Sequence, residues 1–275
     1  MTDGEFITVQ QFVKERIGVD LSQKRSLIEG RLEPHLARKG FHDFTEYMSY
    51  IHQDVSGKEM EEMLSILTTH HTYFWREPVH FDLYRNEVLP YLKRTEADSK
   101  DLRIWSAASS TGEEPYTLAM LNMDFFGFEH DAWDTKILAT DVSTKVLEFA
   151  QKGIYSEEQV DALPSQWKRL YFQRQAEGKY EAKRELKEQV LFRQFNLMNP
   201  LPFRKPLHVV FIRNVMIYFE EDTKRQLLER IVKAMMPGGY LFVGTTESVD
   251  REYFGLDYVI PSVYRKNEKA GRGKL

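Results

Sequence analysis

The chain has no cysteine, which excludes disulfides, thiolate nucleophiles and cysteine-ligated metal centres. No stretch approaches the ~18 consecutive apolar residues of a bilayer-spanning helix. The opening residues, Met1-Thr2-Asp3-Gly4-Glu5, are acidic and lead into no apolar core of signal-peptide length. These absences predict a cytoplasmic protein without membrane insertion, which would meet a membrane-embedded substrate only through its cytoplasmic portion. A basic excess is missing too. Lys and Arg number 38 against 42 Asp and Glu, a formal net charge of −4, so no nucleic-acid partner is expected. What is present is an ordinary globular balance, 42% hydrophobic and 29% charged over 275 residues. That is enough chain for a sizeable core in one large domain or two smaller ones.

Residues 1–68 read as a small helical domain. Val9, Val13 and Ile17 can share one helix face, and Leu27, Ile28, Leu32 and Leu36 continue the pattern. Phe44, Tyr47, Met48 and Ile51, then Met60, Met63, Leu64 and Leu67, recur at amphipathic-helix spacing. Residues 69–101 read as a linker with a lead-in helix, polar over 93–101. Residues 102–275 change period. Strands are expected at 102–107, 136–141, 190–195, 207–212 and 240–244. Helices are expected at 113–125, 143–152 and 222–236, the last stopped by Pro237-Gly238-Gly239. The alternation predicts an α/β fold with a doubly wound, mostly parallel sheet, whose ligands sit at the carboxyl ends of the strands. At about 165–190 the alternation breaks. Short strands at 169–173 and 179–183 around Glu177-Gly178 predict a small antiparallel β insertion. The polar, glycine-containing tail 266–275 predicts disorder.

The loop after the first strand, Ala107-Ala108-Ser109-Ser110-Thr111-Gly112-Glu113-Glu114-Pro115-Tyr116, has neither G-x-G-x-x-G nor G-x-x-x-x-G-K-[ST]. Its adjacent carboxylates would repel a pyrophosphate and suit a ligand carrying a cationic amine or sulfonium. Alternatively they mark a helix start, with Thr111 as N-cap and acids in the first turn. Asp141 ends the second strand, where an acid accepts hydrogen bonds from ribose hydroxyls or caps the helix starting near Ser143. Arg213-Asn214 precedes the apolar run Val215-Met216-Ile217-Tyr218-Phe219, as part of a site or as a satisfied polar turn with Tyr218 in the core. Asn196 carries the same ambiguity. His70-His71 predicts no metal, because adjacent residues rarely ligate one ion together and no further His/Asp cluster is near. Arg76, among Tyr73, Phe74 and Trp75, is a surface cation–π pair or an arm reaching into a cleft. Lys24, Arg25, Arg31, Arg38 and Lys39, interrupted by Glu29 and Glu33, read as a solvated helix face.

Five pieces in order resemble one family, the chemotaxis receptor glutamate methyltransferases known as CheR. They are Thr72-Tyr73-Phe74-Trp75-Arg76-Glu77, then Ile104-Trp105-Ser106-Ala107 running through Tyr116, then Ala139-Thr140-Asp141, Gly153-Ile154-Tyr155, and Arg213-Asn214-Val215-Met216-Ile217-Tyr218-Phe219. The resemblance covers nearly the whole chain. It implies a class I methyltransferase-like domain behind a helical one, with S-adenosylmethionine as cofactor and S-adenosylhomocysteine as product. The substrate it implies is glutamate in the cytoplasmic region of methyl-accepting chemotaxis receptors. It gives Thr72 and Arg76 cofactor contacts from the linker, Glu114 the methionyl amine, Asp141 the ribose, and Asn196 with Leu197 the adenine region. Arg213 and Asn214 would form the floor of the site, and Tyr218 and Arg76 would lie near the transferred methyl and the incoming glutamate. His70 stands where members commonly have an Asn that helps bind cofactor, and Ser109 and Ile212 where many have Cys. The basic helix is less dense than in enteric members. The insertion turn at 173–178 lacks the longer Gly-x-Gly form of members that dock on a receptor's C-terminal pentapeptide, so pentapeptide-independent docking is expected. The competing readings are a small-molecule methyltransferase, which needs no receptor-facing helical domain, and a non-catalytic cofactor-sensing protein, against which Arg76 and Tyr218 argue.

Overall fold

Thr2 starts the first helix. Its hydroxyl accepts from Glu5 N while the Glu5 carboxylate accepts from Thr2 N at 2.7 Å, a reciprocal cap. The structure, a computed structural model, describes residues 1–267. Four helices form the N-terminal part: α1 (Asp3–Ile17), α2 (Arg25–Lys39), α3 (Phe44–Gln53) and α4 (Lys58–Leu67). Their buried faces carry Val9, Val13, Ile17, Ile28, Leu32, Leu36, Tyr47, Ile51, Met63 and Leu64, the stripe that the spacing predicts.

After an irregular stretch the chain runs through α5 (Pro78–Leu83), a π turn (Tyr84–Val88) and α6 (Leu89–Thr95). The π turn falls just before Pro90, whose missing N–H interrupts the α ladder. Lys93, Arg94 and Thr95 therefore finish a helix and are not linker, because buried Leu89 and Leu92 hold that turn on the core.

The remaining elements are β1 (Ile104–Ala107), α7 (Glu113–Phe126), β2 (Ile137–Asp141), α8 (Thr144–Lys152), β3 (Ile154–Ser156), α9 (Glu157–Val160), α10 (Ser165–Tyr171), β4 (Phe172–Arg174), β5 (Lys179–Ala182), α11 (Arg184–Lys187), β6 (Val190–Gln194), β7 (Leu207–Ile212), α12 (Glu221–Ala234), β8 (Met235–Val243), α13 (Arg251–Phe254), β9 (Leu256–Ile260) and β10 (Val263–Lys266). Seven strands form one sheet in the order β6-β2-β1-β7-β8-β10-β9. The pairs from β6 to β8 are parallel, and β10 runs antiparallel to β8 and β9. The chain steps outward from β1 in both directions, which opens a crevice beyond the ends of β1, β2 and β7.

Both faces of this sheet are covered, so its central strands are predominantly apolar, with Ser106, Thr140, Asp141 and His208 as buried polar exceptions. Ile104, Val209, Phe211 and Phe242 point into one layer, where Phe211 and Phe242 stack at 4.2 Å against Phe81 and Tyr84. Trp105, Val210, Ile212 and Leu241 point into the other, shared with α1–α4 and α12. Trp105 is fully buried and its indole N–H donates to Thr140 Oγ1 at 2.9 Å.

Several expectations are corrected. The helix expected to 236 ends at Ala234, and Pro237-Gly238-Gly239 lies inside β8. The β7–β8 register shifts between Leu207 and Val209, so the Pro-Gly-Gly run is an irregularity in the strand rather than a stop. The segment 169–173 is mostly the end of α10, whose Trp167 and Tyr171, one helical turn apart, are both buried. The antiparallel insertion is real but is built from β3, β5 and β4, with β3 lying before the expected boundary. Of the tail expected to be disordered, Lys266 belongs to β10 and Asn267 N donates to the Gly255 carbonyl at 3.1 Å, while 268–275 lies outside the described residues. No helix among the described residues is long and apolar enough to cross a membrane.

Candidate active site

The ends of β1, β2 and β7 face the N-terminal helices across a cleft of about 1220 Å³, open solvent at its mouth included. His70, Thr72, Arg76, Glu114, Asp141, Asn196, Leu197, Arg213, Asn214 and Tyr218 all line it. Residues distant in sequence, chosen on motif alone, thus share one surface.

The loop after β1 is wound tightly. Ala108 (φ 56), Ser110 (φ 49) and Gly112 (φ 95) are all left-handed, a conformation that costs a non-glycine residue about 1 kcal/mol or more and persists where the surroundings enforce it. At Gly112 a Cβ would lie 2.8 Å from Ala150 Cβ and 3.0 Å from the Tyr155 hydroxyl, so glycine is required. The winding brings Ser110 N to Asp141 Oδ2 at 2.9 Å, while Ser143 N donates to Oδ1 at 3.0 Å. Asp141 therefore organises the loop after β1 and the start of α8 at once, while lining the cleft. Thr111 is not the N-cap of α7. Gly112 takes that position without a side-chain cap, and the Thr111 hydroxyl donates to Glu113 Oε2 at 2.6 Å.

The adjacent acids part company. Glu113 is fully buried and turns away, accepting also from Gln159 Nε2 at 3.1 Å. Glu114 faces the cleft, accepting from Ser106 Oγ at 2.7 Å and Arg213 Nη1 at 3.0 Å. Burial pushes the Glu114 carboxyl above its ordinary value, against the opposing pull of the Arg213 charge and the Ser106 hydroxyl. Burial likewise raises Asp141, partly offset by the Ser143 and Ser110 N–H groups and the His70 ring. Two desolvated carboxyls facing one cleft suit a cationic ligand with hydroxyls to be bound, because its charge restores the ionised form. Ser109 Oγ and Arg213 Nε are buried there without a hydrogen-bond partner among the described residues.

Raised carboxyl pKa values mean that the folded, ligand-free protein holds these protons more tightly than the unfolded chain does. The contribution of these groups to stability therefore grows as pH falls through the raised values. A cationic ligand needs the ionised forms, so its affinity falls over the same window and binding releases protons. Calorimetry of S-adenosylhomocysteine between about pH 5 and about pH 7.5 should show weaker binding at the acid end. At constant pH, buffers of different ionisation heat should report net proton release. Affinity flat across this range counts against Glu114 and Asp141 as the gripping groups.

The linker supplies a second wall. Arg213 pairs with Glu114 and with Glu77 Oε2 at 3.2 Å, donates to the Arg76 carbonyl, and lies 5.2 Å from the Phe81 ring centroid. Burial works to raise the Glu77 carboxyl, but Arg213, Asn214 and His80 hold it below its ordinary value. Burial and the Arg213 charge push His80 down to about 4, so it is neutral at physiological pH. Both readings of Arg76 hold. Its guanidinium lies 5.8 Å from the Tyr73 centroid, Nη1 donates to the His71 carbonyl at 2.8 Å, and the side chain lines the cleft. His70 is tied to Thr68 Oγ1 at 2.8 Å, and its carbonyl accepts from Ser110 Oγ at 3.0 Å. Neither His70 nor His71 belongs to a ligand-spaced group among the described residues.

The third wall comes from the helical part. Val19 forms a bridge with Phe219, and Asp20 N donates to the Tyr218 carbonyl at 2.7 Å. Asn196 Nδ2 donates to the Arg16 carbonyl at 2.5 Å. Gly18 (φ 74) sits where a Cβ would lie 2.6 Å from Met198 Sδ. Tyr218 is only partly buried, and its hydroxyl has no hydrogen-bond partner among the described residues. The basic stretch is not a plain solvated face. Arg25 pairs with Asp3 and Glu29, and Lys39 with Glu59 and Glu62. Arg31 donates to the Leu67 and Thr68 carbonyls at 2.9 and 3.0 Å, closing the end of α4.

Sequence reasoning missed Glu77, Glu247 and the 16–21 segment. Glu77 stood inside a quoted motif without a role. Glu247 lies just beyond a strand end that carried no motif, and nothing local marks 16–21 as a cleft wall.

The family model described as CheR methyltransferase, SAM binding domain, matches residues 70–257. The one described as CheR methyltransferase, all-alpha domain, matches residues 4–68. A chemotaxis protein methyltransferase of Borreliella burgdorferi is 38% identical over 271 residues, 97% of this chain and 95% of its own length. One from Escherichia coli is 35% identical over 253 residues, covering 90% and 85%. The chemotaxis protein methyltransferase 2 of Pseudomonas aeruginosa is 36% identical over 249 residues, covering 86% and 85%.

Proposed function

This chain belongs to the CheR methyltransferase family, and from that premise we propose that it esterifies glutamate side chains in the cytoplasmic region of chemotaxis receptors. It is an S-adenosylmethionine-dependent methyltransferase of the chemotaxis type. The glutamate acceptor, the receptor partner and a cytoplasmic location are the proposal. The observation that supports it best is the convergence on one surface of two desolvated cleft-facing carboxyls, buried Asp141 and partly buried Glu114, with the linker Arg76 and the Tyr218 hydroxyl, which has no partner among the described residues.

S-adenosylmethionine supplies an electrophilic sulfonium methyl. The residues that would hold it are Glu114 at the methionyl amine, Asp141 at the ribose, Asn196 and Leu197 near the adenine, with Thr72, His70, Arg213 and Asn214 completing the walls. A receptor glutamate with a pKa of about 4.3 is already ionised at neutral pH, so the chain need not provide a general base. Its work is to orient the acceptor carboxylate and exclude water. Attraction between carboxylate and sulfonium is stronger in a dry site, and a fixed in-line approach can lower the barrier by several kcal/mol. Arg76 and Tyr218, which line the cleft, would provide that orientation. A close ion pair with Arg76 would blunt the nucleophile, so its part is positional.

Incubating the protein with methyl-labelled S-adenosylmethionine and receptor cytoplasmic fragments tests the reading. Label on the receptor that is released by mild base, and that maps to glutamate, supports it. Base-stable label, or label only on small molecules, sinks it.

Receptor docking is proposed to be independent of a C-terminal pentapeptide. The turn between β4 and β5 is short, closed by Gln175 N donating to the Lys179 carbonyl at 2.7 Å. Calorimetry with such a pentapeptide should give no measurable heat, and micromolar affinity would contradict the proposal.

A further inference from the structure

We infer that Glu247 is a positioning residue for Tyr218, acting through the backbone of the turn that presents the tyrosine. This inference rests on the methyl-transfer role proposed for Tyr218. Glu247 is 8% exposed, and no Lys, Arg or His among the described residues forms an ion pair with it. Its carboxylate is held by backbone donors instead. Oε2 accepts from Gly244 N at 2.6 Å and Asn214 N at 2.9 Å, and Oε1 accepts from Ile217 N at 3.2 Å. One side chain beyond β8 thus grips both ends of the turn that leaves β7. Charge-assisted bonds to backbone N–H groups are the stronger kind, and this turn needs them because Asn214 is left-handed (φ 57).

The approach is close enough to exclude a side chain at Gly244. A Cβ there would lie 2.5 Å from Asn214 Nδ2 and 2.9 Å from both Asn214 N and Glu247 Oε2. Gly244 is not left-handed, so what requires glycine is this packing and not its backbone conformation. Ile217 immediately precedes Tyr218 in the short helical turn Met216–Tyr218, and the Tyr218 carbonyl is fixed from the other side by Asp20 N. Tyr218 is therefore braced by backbone on both flanks, while it lines the cleft and its hydroxyl has no hydrogen-bond partner among the described residues. The Asn214 side chain has its own anchor, donating to Glu77 Oε1 at 3.2 Å. Loss of the Glu247 carboxylate should therefore disturb Tyr218 more than the cofactor floor.

The test uses full-length protein, receptor fragments and a double-mutant cycle. Glu247→Gln puts an N–H₂ among three donors and should lower turnover about tenfold, with S-adenosylhomocysteine affinity within about threefold of wild type. In a Tyr218→Phe background the same change should cost less than about twofold, because its effect passes through the missing hydroxyl. Glu247→Asp, which keeps the charge but draws it back by one methylene from the Asn214 and Ile217 N–H groups, should reproduce the turnover-selective loss if Glu247→Gln fails to fold. Additive losses in the cycle, or cofactor affinity falling as far as turnover in whichever variant folds, would overturn the inference. Wild-type protein that methylates no receptor would fail the proposed function instead, which is a separate outcome.

Discussion

Asp141→Ala should weaken S-adenosylhomocysteine binding about 100-fold while leaving turnover at saturating cofactor within a few-fold of wild type. The magnitude comes from the hydrogen bonds at stake. Bonds to a charged group contribute about 1.5–3 kcal/mol each in a desolvated setting, and about 1.4 kcal/mol is tenfold in affinity. Two ribose hydroxyls held by one buried carboxylate reach that figure. The substitution carries a second cost that can be measured separately. Ser110 N and Ser143 N both donate to Asp141, and the alanine leaves two buried donors unpaired at about 1–3 kcal/mol apiece. The melting temperature should fall as well. Asp141→Asn, which keeps one acceptor oxygen, should recover part of the stability but little of the affinity. A dissociation constant within fivefold of wild type for Asp141→Ala would remove Asp141 from the cofactor site.

That double duty explains what the sequence could and could not show. An acid ending a strand before Ser143 was readable both as a ribose ligand and as a helix-start residue, and the geometry lets it hold both N–H groups while still facing the cleft. The N-terminal helices were legible because a single buried stripe leaves a period in the sequence: Phe44, Tyr47, Met48 and Ile51 are all buried. Local patterns misled where a long-range partner decides the outcome. Arg169-Leu170-Tyr171 was expected in a strand, yet Trp167 and Tyr171 draw it into α10 by packing on the core, and only Phe172 and Gln173 go on into β4. Pro237-Gly238-Gly239 ordinarily ends an element, but pairing of Met235 with Leu207 draws the run into β8. Glu77 and Glu247 were invisible for a related reason. Each acts on residues remote in sequence, Glu77 on Arg213 and Thr245, Glu247 on Asn214 and Ile217. Only the folded chain brings those donors to a carboxylate. The cleft-lining motif residues were legible because they lie in the linker, at strand ends or in the turns just beyond them, where the topology puts the cleft.

The same placement sets the sharpest kinetic expectation. Arg76→Ala should lower turnover on receptor fragments about 100-fold, with S-adenosylhomocysteine affinity changed less than about threefold. The side chain is braced by the linker itself, through the His71 carbonyl and the Tyr73 ring, and its backbone is fixed by the buried Arg213. Removing the guanidinium therefore leaves the cofactor walls standing, since Glu114 and Asp141 keep all their partners. On the role proposed for Arg76, what is lost is a donor that orients the incoming carboxylate, and misplacement of a reacting group by about 1 Å is enough for a loss of this size. Arg76→Lys separates charge from geometry. Lysine retains the positive charge but not the planar fork, so a positional role predicts recovery of less than about tenfold. Full recovery in Arg76→Lys would make the charge itself the active element. A fall in affinity matching the fall in turnover for Arg76→Ala would instead make Arg76 a cofactor ligand and leave the acceptor carboxylate to Tyr218 alone.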